Sequence, residues 1–396
     1  MHACGRRSGF SLVELLVSVG VTSLLVGLLV PTLQAARESA RATVCRNHVA
    51  QLAKAMLHHD AAQRQFPSGG WGDLWLGVAE RGAGAPQPGG WAYGILPYLE
   101  QQSLFQSVAG VSAANAGAVY AGLLTAPMPV YSCPSRRASR PLPLAGATYR
   151  TGGDGATTPP AATRSDYAAC AGMSASCPPI SIYLAYYTDP ALSAKKVKMC
   201  HATNGAAGGN TQEIGLKAMF DNGHAGHTDD HVGPCTGCSN PVVVESPTSL
   251  ADGDAWVRGS IIDRIVRADD GLPDLQDGIV FRMSAVTAAA VRDGLTNTYL
   301  VGEKAVDAAR YETGTDAGDD APLHVGYADD TLRWGYDPPD RDGVGVSRPQ
   351  AFGSAHREAF AMAFADGSVR PVEYGIDPAV HKALAGRKDG TVVSPP

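Results

Sequence analysis

Between residues 200 and 238 the chain gathers Cys200-His201, His224, His227, His231 and Cys235-Thr236-Gly237-Cys238. Thiolates and imidazoles are the donors zinc prefers, and a CxxC is the usual half of a structural zinc site. His227 and His231 are four apart and would share one face of a helix. The stretch is nonetheless rich in Gly, Asn and Thr, as a surface insertion is, and it holds one CxxC. An oxidising exterior favours closing Cys235 and Cys238, or a similar pair, as a disulfide. The expectation is therefore a disulfide-stapled insertion around 173–245 with no metal. Zinc on Cys200, His224, His227, His231, Cys235 and Cys238 is the alternative that the spacing leaves open.

A second group, in DDGLPDLQDG at 269–278, sets Asp269, Asp270, Asp274 and Asp277 close together. Calcium takes clustered oxygens, but this spacing departs from the EF-hand loop, and an exposed acidic turn is the simpler reading. For hydrolysis the chain would need a nucleophile, a base and an orienting acid. It has no GxSxG elbow, no HExxH and no P-loop. His58-His59 and His356 read as hydrogen-bonding residues. No catalytic residue, cofactor or enzymatic activity is expected.

The elements that must carry these groups begin with GFSLVELLVSVGVTSLLVGLLVPTLQAAR, residues 9–37. From Phe10 to Val30 there are 21 residues with one charge, enough for a helix of roughly 30 Å, about one hydrocarbon thickness. A cleaved secretory signal has a shorter apolar core, and a plain signal anchor is the simpler alternative. Arg6 and Arg7 precede the run while Arg37, Arg41 and Arg46 follow it, so charge does not fix orientation. Beyond it, Cys45, Val49, Leu52 and Met56 recur at helical spacing, with no breaker before the FPSGG at 66–70. The helix is expected from about Phe10 to about Asp60, roughly 75 Å long, with its second half packing that stripe on the body.

The N-terminal run resembles the prepilin signal of type IV pilins and type II secretion pseudopilins. A short basic leader ends in Gly9, Phe10 follows, and an acid, Glu14, is the fifth residue of the chain that would remain. Pro31 falls where pilins commonly carry a helix-kinking proline. The resemblance implies that a prepilin peptidase cuts between Gly9 and Phe10 and methylates the Phe10 amine. It also implies that Glu14 docks against the N-terminal amine of a neighbouring subunit. A carboxylate in a bilayer costs about 2.5 to 3.5 kcal/mol on insertion scales and persists where it finds a partner.

The body carries a second resemblance. CRNHVAQLAKAMLHHDAAQRQFP, GGWAYGILPYLEQQSLF, VYSCPSRR, SDYAACAG, VRDGLTNTYLVGEK and FGSAHREAFAMAFADGSVRPV follow in the order of the DUF1559 proteins, a pseudopilin-like family abundant in planctomycetes. In the last block His356, Asp366, Gly367, Ser368 and Val369 match the usual form, while Arg357-Glu358-Ala359-Phe360 replace its glycines. The resemblance implies architecture and location rather than a reaction. It divides the chain into a leader at 1–9, a transmembrane assembly helix at 10–31, a periplasmic continuation at 32–66 and a globular domain at 67–396.

Read without the family, AFAMAFADGSVRPV is two apolar runs about an Asp-Gly, a hairpin signal. YLVGEK is a strand entered through a polar turn, and 68–90 and 138–164 are loops rich in small residues and proline. The fold class expected is α+β: a long N-terminal helix, membrane-spanning in its first half, on a mainly antiparallel β-rich domain. With 46 Gly, 27 Pro and 44% hydrophobic residues the chain is loop-rich yet can bury a core, and a net charge of -6 excludes a general nucleic-acid partner.

Eight Cys suit an oxidising compartment, and Cys4 leaves with the leader. A disulfide is expected between Cys45, on the buried helix stripe, and Cys133, which follows a short apolar strand at 129–131; Cys170 and Cys177 are the other choices for Cys133. Its loop of about 88 residues would constrain the unfolded chain by about 4 to 5 kcal/mol on the loop-entropy account. The function expected is a non-catalytic pseudopilin subunit in the inner membrane, single-pass, with its body in the periplasm and other pilin-like subunits as partners. The alternatives are a tethered module binding glycan or envelope polymer and, last, a tethered enzyme.

Overall fold

The computed structural model describes residues 12–172, 196–201, 210–215, 231–232, 249–251, 277–391 and 393. Helix α1 runs unbroken from Leu12 to Gln63 with Pro31 inside it. Immediately after that proline the Thr32 hydroxyl donates to the Leu29 carbonyl at 2.8 Å, the kind of side-chain bond that accompanies proline in apolar helices. The helix stops where Arg64 turns left-handed, φ 61°, and its N–H donates to the Asp60 carbonyl at 2.7 Å. Pro67 then bars a restart for the residue before it.

The two halves of α1 differ in surroundings. From Leu12 to Leu33 the apolar side chains stand exposed on every side, with a mean hydropathy of 2.1 over an 18-residue window, long and apolar enough to cross a membrane. From Cys45 onward the expected stripe closes on the body: Cys45, Val49, Leu52 and Met56 are all fully buried. Each such side chain contributes about 1.5 to 3 kcal/mol relative to exposure.

The body is built on five strands: β1 (Tyr167–Gly172), β2 (Tyr299–Glu303), β3 (Leu332–Trp334), β4 (Ala359–Phe364) and β5 (Val369–Glu373). Their order across the sheet is β3-β1-β2-β4-β5, with β3-β1 parallel and the other three pairings antiparallel. The mainly antiparallel sheet against a long helix is the α+β architecture expected. In β4 the period-2 alternation sorts side chains by size. Ala361, Ala363 and Ala365 join the core shared with α1, and Phe360, Met362 and Phe364 join a second core with Leu384 of helix α2 (Pro378–Ala385). Small residues let the long helix approach one face, while aromatic bulk fills the other. Gly302 of β2 belongs to the same packing, since a Cβ there would lie 2.6 Å from Met362 Cε.

The β4–β5 hairpin turns at Asp366-Gly367, where Gly367 has φ 85° and Asp366 Oδ1 accepts from the Ser368 N–H at 2.8 Å. The strand YLVGE and its turn entry also stand where the pattern put them. Two local readings need correction. Pro129–Tyr131, read as a strand, is a single 3-10 turn. There the Ser132 N–H donates to the Pro129 carbonyl at 3.0 Å, and the buried Tyr131 hydroxyl donates to the Ala92 carbonyl at 3.0 Å. The stretch 138–164, read as loop, contains two ladders of two-residue strands, Leu142–Pro143 with Ala161–Ala162 and Tyr149–Arg150 with Ala156–Thr157.

Candidate functional site

Four donor side chains from four separate elements meet beneath α1. Cys45 comes from the helix stripe. Cys133 follows the 3-10 turn, its N–H donating to Asp166 Oδ2 at 2.6 Å. Glu303 ends β2, and its Oε2 accepts the Ala361 N–H of the neighbouring strand at 2.8 Å. His356 precedes β4, held by a bond from its N–H to Ser354 Oγ at 3.0 Å and by the Tyr374 hydroxyl on its carbonyl at 2.8 Å.

The sulfurs of Cys45 and Cys133, a His356 ring nitrogen and a Glu303 carboxylate oxygen all lie within 4.8 Å of one another. His356 Nε2 is 3.8 Å from Cys133 Sγ and 3.4 Å from Glu303 Oε1. On the other side of the ring, Nδ1 is 2.8 Å from Glu38 Oε1. Glu38 is itself fixed: its Oε1 accepts from the Ser135 hydroxyl at 2.9 Å and its Oε2 from Arg41 Nε at 2.9 Å. Glu303 Oε1, in a side chain only 1% exposed, has no hydrogen-bond donor among the described residues.

This setting moves the protonation equilibria. Burial pulls the His356 imidazole down, but the close approach of Cys133 and Glu303 and the Glu303 charge outweigh it and lift the group to about 10. The hydrogen bond with Cys45, followed by burial, holds the Cys133 thiol far above its ordinary value. Burial raises the Glu38 carboxyl, yet its bonds to His356, Arg41 and Ser135 bring it below the usual range. The result is a buried imidazole set between two carboxyl groups and beside two thiols.

A second layer of charge lies behind the site. Arg136 Nε donates to Asp342 Oδ2 at 2.7 Å, and Arg137 Nη2 to Asp166 Oδ1 at 2.8 Å. Arg137 Nη1 pairs with Asp319, which also holds Lys304 Nζ at 3.0 Å. Alternation along β2 sends Glu303 to the thiols and Lys304 to Asp319.

The structure thus brings Cys45 and Cys133 together, as the helix stripe implied, but holds both as free thiols. The expected sulfur–sulfur bond is not formed: Cys133 instead lies against both the Cys45 thiol and His356. Cys170 is no partner for either, since it lies in the core on the other face of the sheet with its thiol 3.7 Å from the Ala385 carbonyl. His59 is a buried hydrogen-bonding residue, as expected, with Nδ1 2.9 Å from the Gln65 carbonyl. His356 is more than that.

Gly9, Phe10, Cys177, His224, His227, Cys235, Cys238, Asp269, Asp270 and Asp274 lie outside the described residues, and of Glu14 the backbone alone is described, within α1. Cys200 and His231 sit opposite each other in a small three-stranded sheet. Asp277 is buried, and its carbonyl accepts the Arg387 N–H at 2.9 Å.

Sequence reasoning passed over Glu38, Arg136, Arg137, Asp166, Glu303, Lys304 and Asp319. A usable signal existed for four: Glu303-Lys304 closes an otherwise apolar strand, and Arg136-Arg137 follow Cys133 after two residues, while the others needed the fold.

No curated protein and no solved structure matches this chain. Residues 4–30 match the prokaryotic N-terminal methylation motif, so the exposed apolar half of α1 belongs to a pilin-like N-terminus. Residues 34–183 and 264–379, which include all four donors, match the family described as "Protein of unknown function (DUF1559)". The protein is therefore a member of the DUF1559 family that begins with a prepilin-type methylation motif.

Proposed function

We propose that this protein is a pseudopilin, a non-catalytic structural subunit of a type II secretion or type IV pilus-like assembly. Prepilin peptidase cleaves it between Gly9 and Phe10 and methylates Phe10. The processed chain sits in the inner membrane by one span, with its body in the periplasm. The observation that carries this reading is the division of α1: one continuous 52-residue helix whose first part is apolar and exposed and whose second part is buried in the body. Such a helix presents an exposed apolar cylinder to lipid or to the helices of neighbouring subunits while the body follows as a rigid attachment.

Within that cylinder Glu14 docks on the neighbour's N-terminal amine and sets the register between subunits. An acid in the membrane is retained at a cost, and pairing with a cation offsets it. Glu14→Ala tests the role. Removing the carboxylate makes the span more apolar, so membrane insertion stays intact while cross-linking between subunits through cysteines placed in the first turns of α1 falls at least tenfold. Unchanged cross-linking in the variant would sink the docking role.

A further inference from the structure

We propose that Cys45 Sγ, Cys133 Sγ, His356 Nε2 and Glu303 Oε1 are the four ligands of a structural zinc ion that clamps α1 to the sheet. The donors are two sulfurs, an imidazole and a carboxylate, a set that suits Zn²⁺ and is too soft for calcium or magnesium. All four side chains are buried, with His356 the most exposed at 7%. A closed four-ligand set without an open position marks a structural rather than a catalytic ion.

The spacing fits. Tetrahedral ligands at zinc's usual bond lengths stand about 3.4 Å apart for nitrogen and oxygen and about 3.6 Å apart for sulfur and nitrogen. The corresponding distances are 3.4 Å from His356 Nε2 to Glu303 Oε1 and 3.8 Å from His356 Nε2 to Cys133 Sγ.

Two observations outside the donor list point to a cation. Glu303 Oε1 is buried without a hydrogen-bond donor among the described residues while its sister oxygen is tied to the Ala361 N–H, so this oxygen is aimed at the other three groups. His356 is oriented from behind, with Nδ1 on the Glu38 carboxylate at 2.8 Å. Carboxylate–histidine–metal chains of this kind fix the tautomer and leave Nε2 for the ion.

Binding balances in protons and charge. Zn²⁺ displaces the two thiol protons and the proton on His356 Nε2. Two thiolates and one carboxylate then carry three negative charges against the ion's two. The four donors come from four distant parts of the chain, so one ion ties the helix stripe, the Cys133 turn, β2 and the approach to β4 together. The same two sulfurs could instead be joined by oxidation, and that outcome excludes the ion.

The full-length protein, extracted in detergent without chelators, decides between them. Metal analysis should give about one zinc per chain, and non-reducing peptide mapping should show Cys45 and Cys133 unlinked. Exchange with Co²⁺ should produce thiolate-to-cobalt charge-transfer absorption. Cys133→Ser should reduce bound metal at least tenfold, and should that variant fail to accumulate, Glu303→Gln, of the same volume, should weaken Co²⁺ binding and alter its spectrum. Glu38→Gln, which leaves all four ligands in place, should lower zinc affinity about 10–100-fold. A wild-type chain that binds neither ion after reconstitution with Zn²⁺ or Co²⁺, or that carries a Cys45–Cys133 disulfide, would overturn the proposal. Neither readout depends on processing or assembly, so failure here leaves the pseudopilin reading standing, and the reverse.

Discussion

His356 Nδ1 lies 2.8 Å from Glu38 Oε1 across 318 residues of chain. Glu38 stands on α1 two turns before Cys45, at the level where the helix changes from exposed to buried. The bond therefore fixes the angle at which the helix leaves the body, and Arg41 and Ser135 hold the carboxylate in place.

Glu38→Ala should destabilise the body by about 1 kcal/mol, the usual net worth of a hydrogen bond of this kind, partly exposed on its acid side. The check is a urea titration in detergent, where the midpoint should fall with the slope unchanged. An unchanged midpoint would mean the contact is ornamental.

The docking of α1 rests on its buried stripe. Leu52→Ala leaves a cavity in the main core and should cost about 2 to 5 kcal/mol. Val30→Ala, on the exposed half, should stay within about 0.5 kcal/mol for the body. Near-UV circular dichroism melting of both variants separates the halves of the helix. Equal shifts would contradict the division.

Asp319 is buried between Arg137 and Lys304. Burial pushes its carboxyl up, but the Arg137 and Lys304 charges hold it well below the ordinary carboxylate range. Asp319→Asn removes the carboxylate that Lys304 and one side of the Arg137 guanidinium share in the interior, and should cost about 3 to 5 kcal/mol. The exposed Arg140–Glu312 pair is the control, since its removal should cost less than about 1 kcal/mol. Denaturation midpoints that are alike for both would refute the importance of the buried network.

His324 is fully buried beside Tyr93, their ring centroids 6.3 Å apart, and neither ring nitrogen has a hydrogen-bond partner among the described residues. Burial depresses its folded pKa to about 3, against about 6.5 in the unfolded chain. Below pH 6.5 the unfolded state therefore takes up a proton that the folded state refuses. This residue's contribution to stability falls by about 1.4 kcal/mol per pH unit from there toward pH 3. His324→Phe removes that slope and, at pH 7, should be neutral or stabilising, because no hydrogen bond is lost. Parallel unfolding curves of the two proteins between pH 7 and pH 4 test it; a constant difference across that range would contradict the assignment.

Local patterns were legible where one face was buried and one rule applied. The Cys45-Val49-Leu52-Met56 spacing marked the docked half of α1, and Asp366-Gly367 between apolar runs marked the hairpin. Pro129-Val130-Tyr131 misled because three apolar residues fit either a strand or a turn, and the missing N–H of Pro129 decided for the turn. The site was half legible. Cys45 and Cys133 were paired through the helix stripe, but a disulfide is the default inference when the neighbours are unknown. Glu303 ends one strand and His356 lies in the loop before another, strands that meet only in the sheet, and a glutamate at a strand end or a histidine in a loop carries no sign of its partners. Glu38 shows the same limit most plainly, since its role depends on a residue near the other end of the chain.

The central claim is that this chain is processed and assembled as a pilin-like subunit. Mass analysis of the intact protein and its N-terminal peptide, purified from cells that contain a prepilin peptidase, tests it most directly. The account predicts a chain that begins at Phe10 and carries one methyl group on its amine. An intact Met1, or a new N-terminus near Ala36, would contradict it.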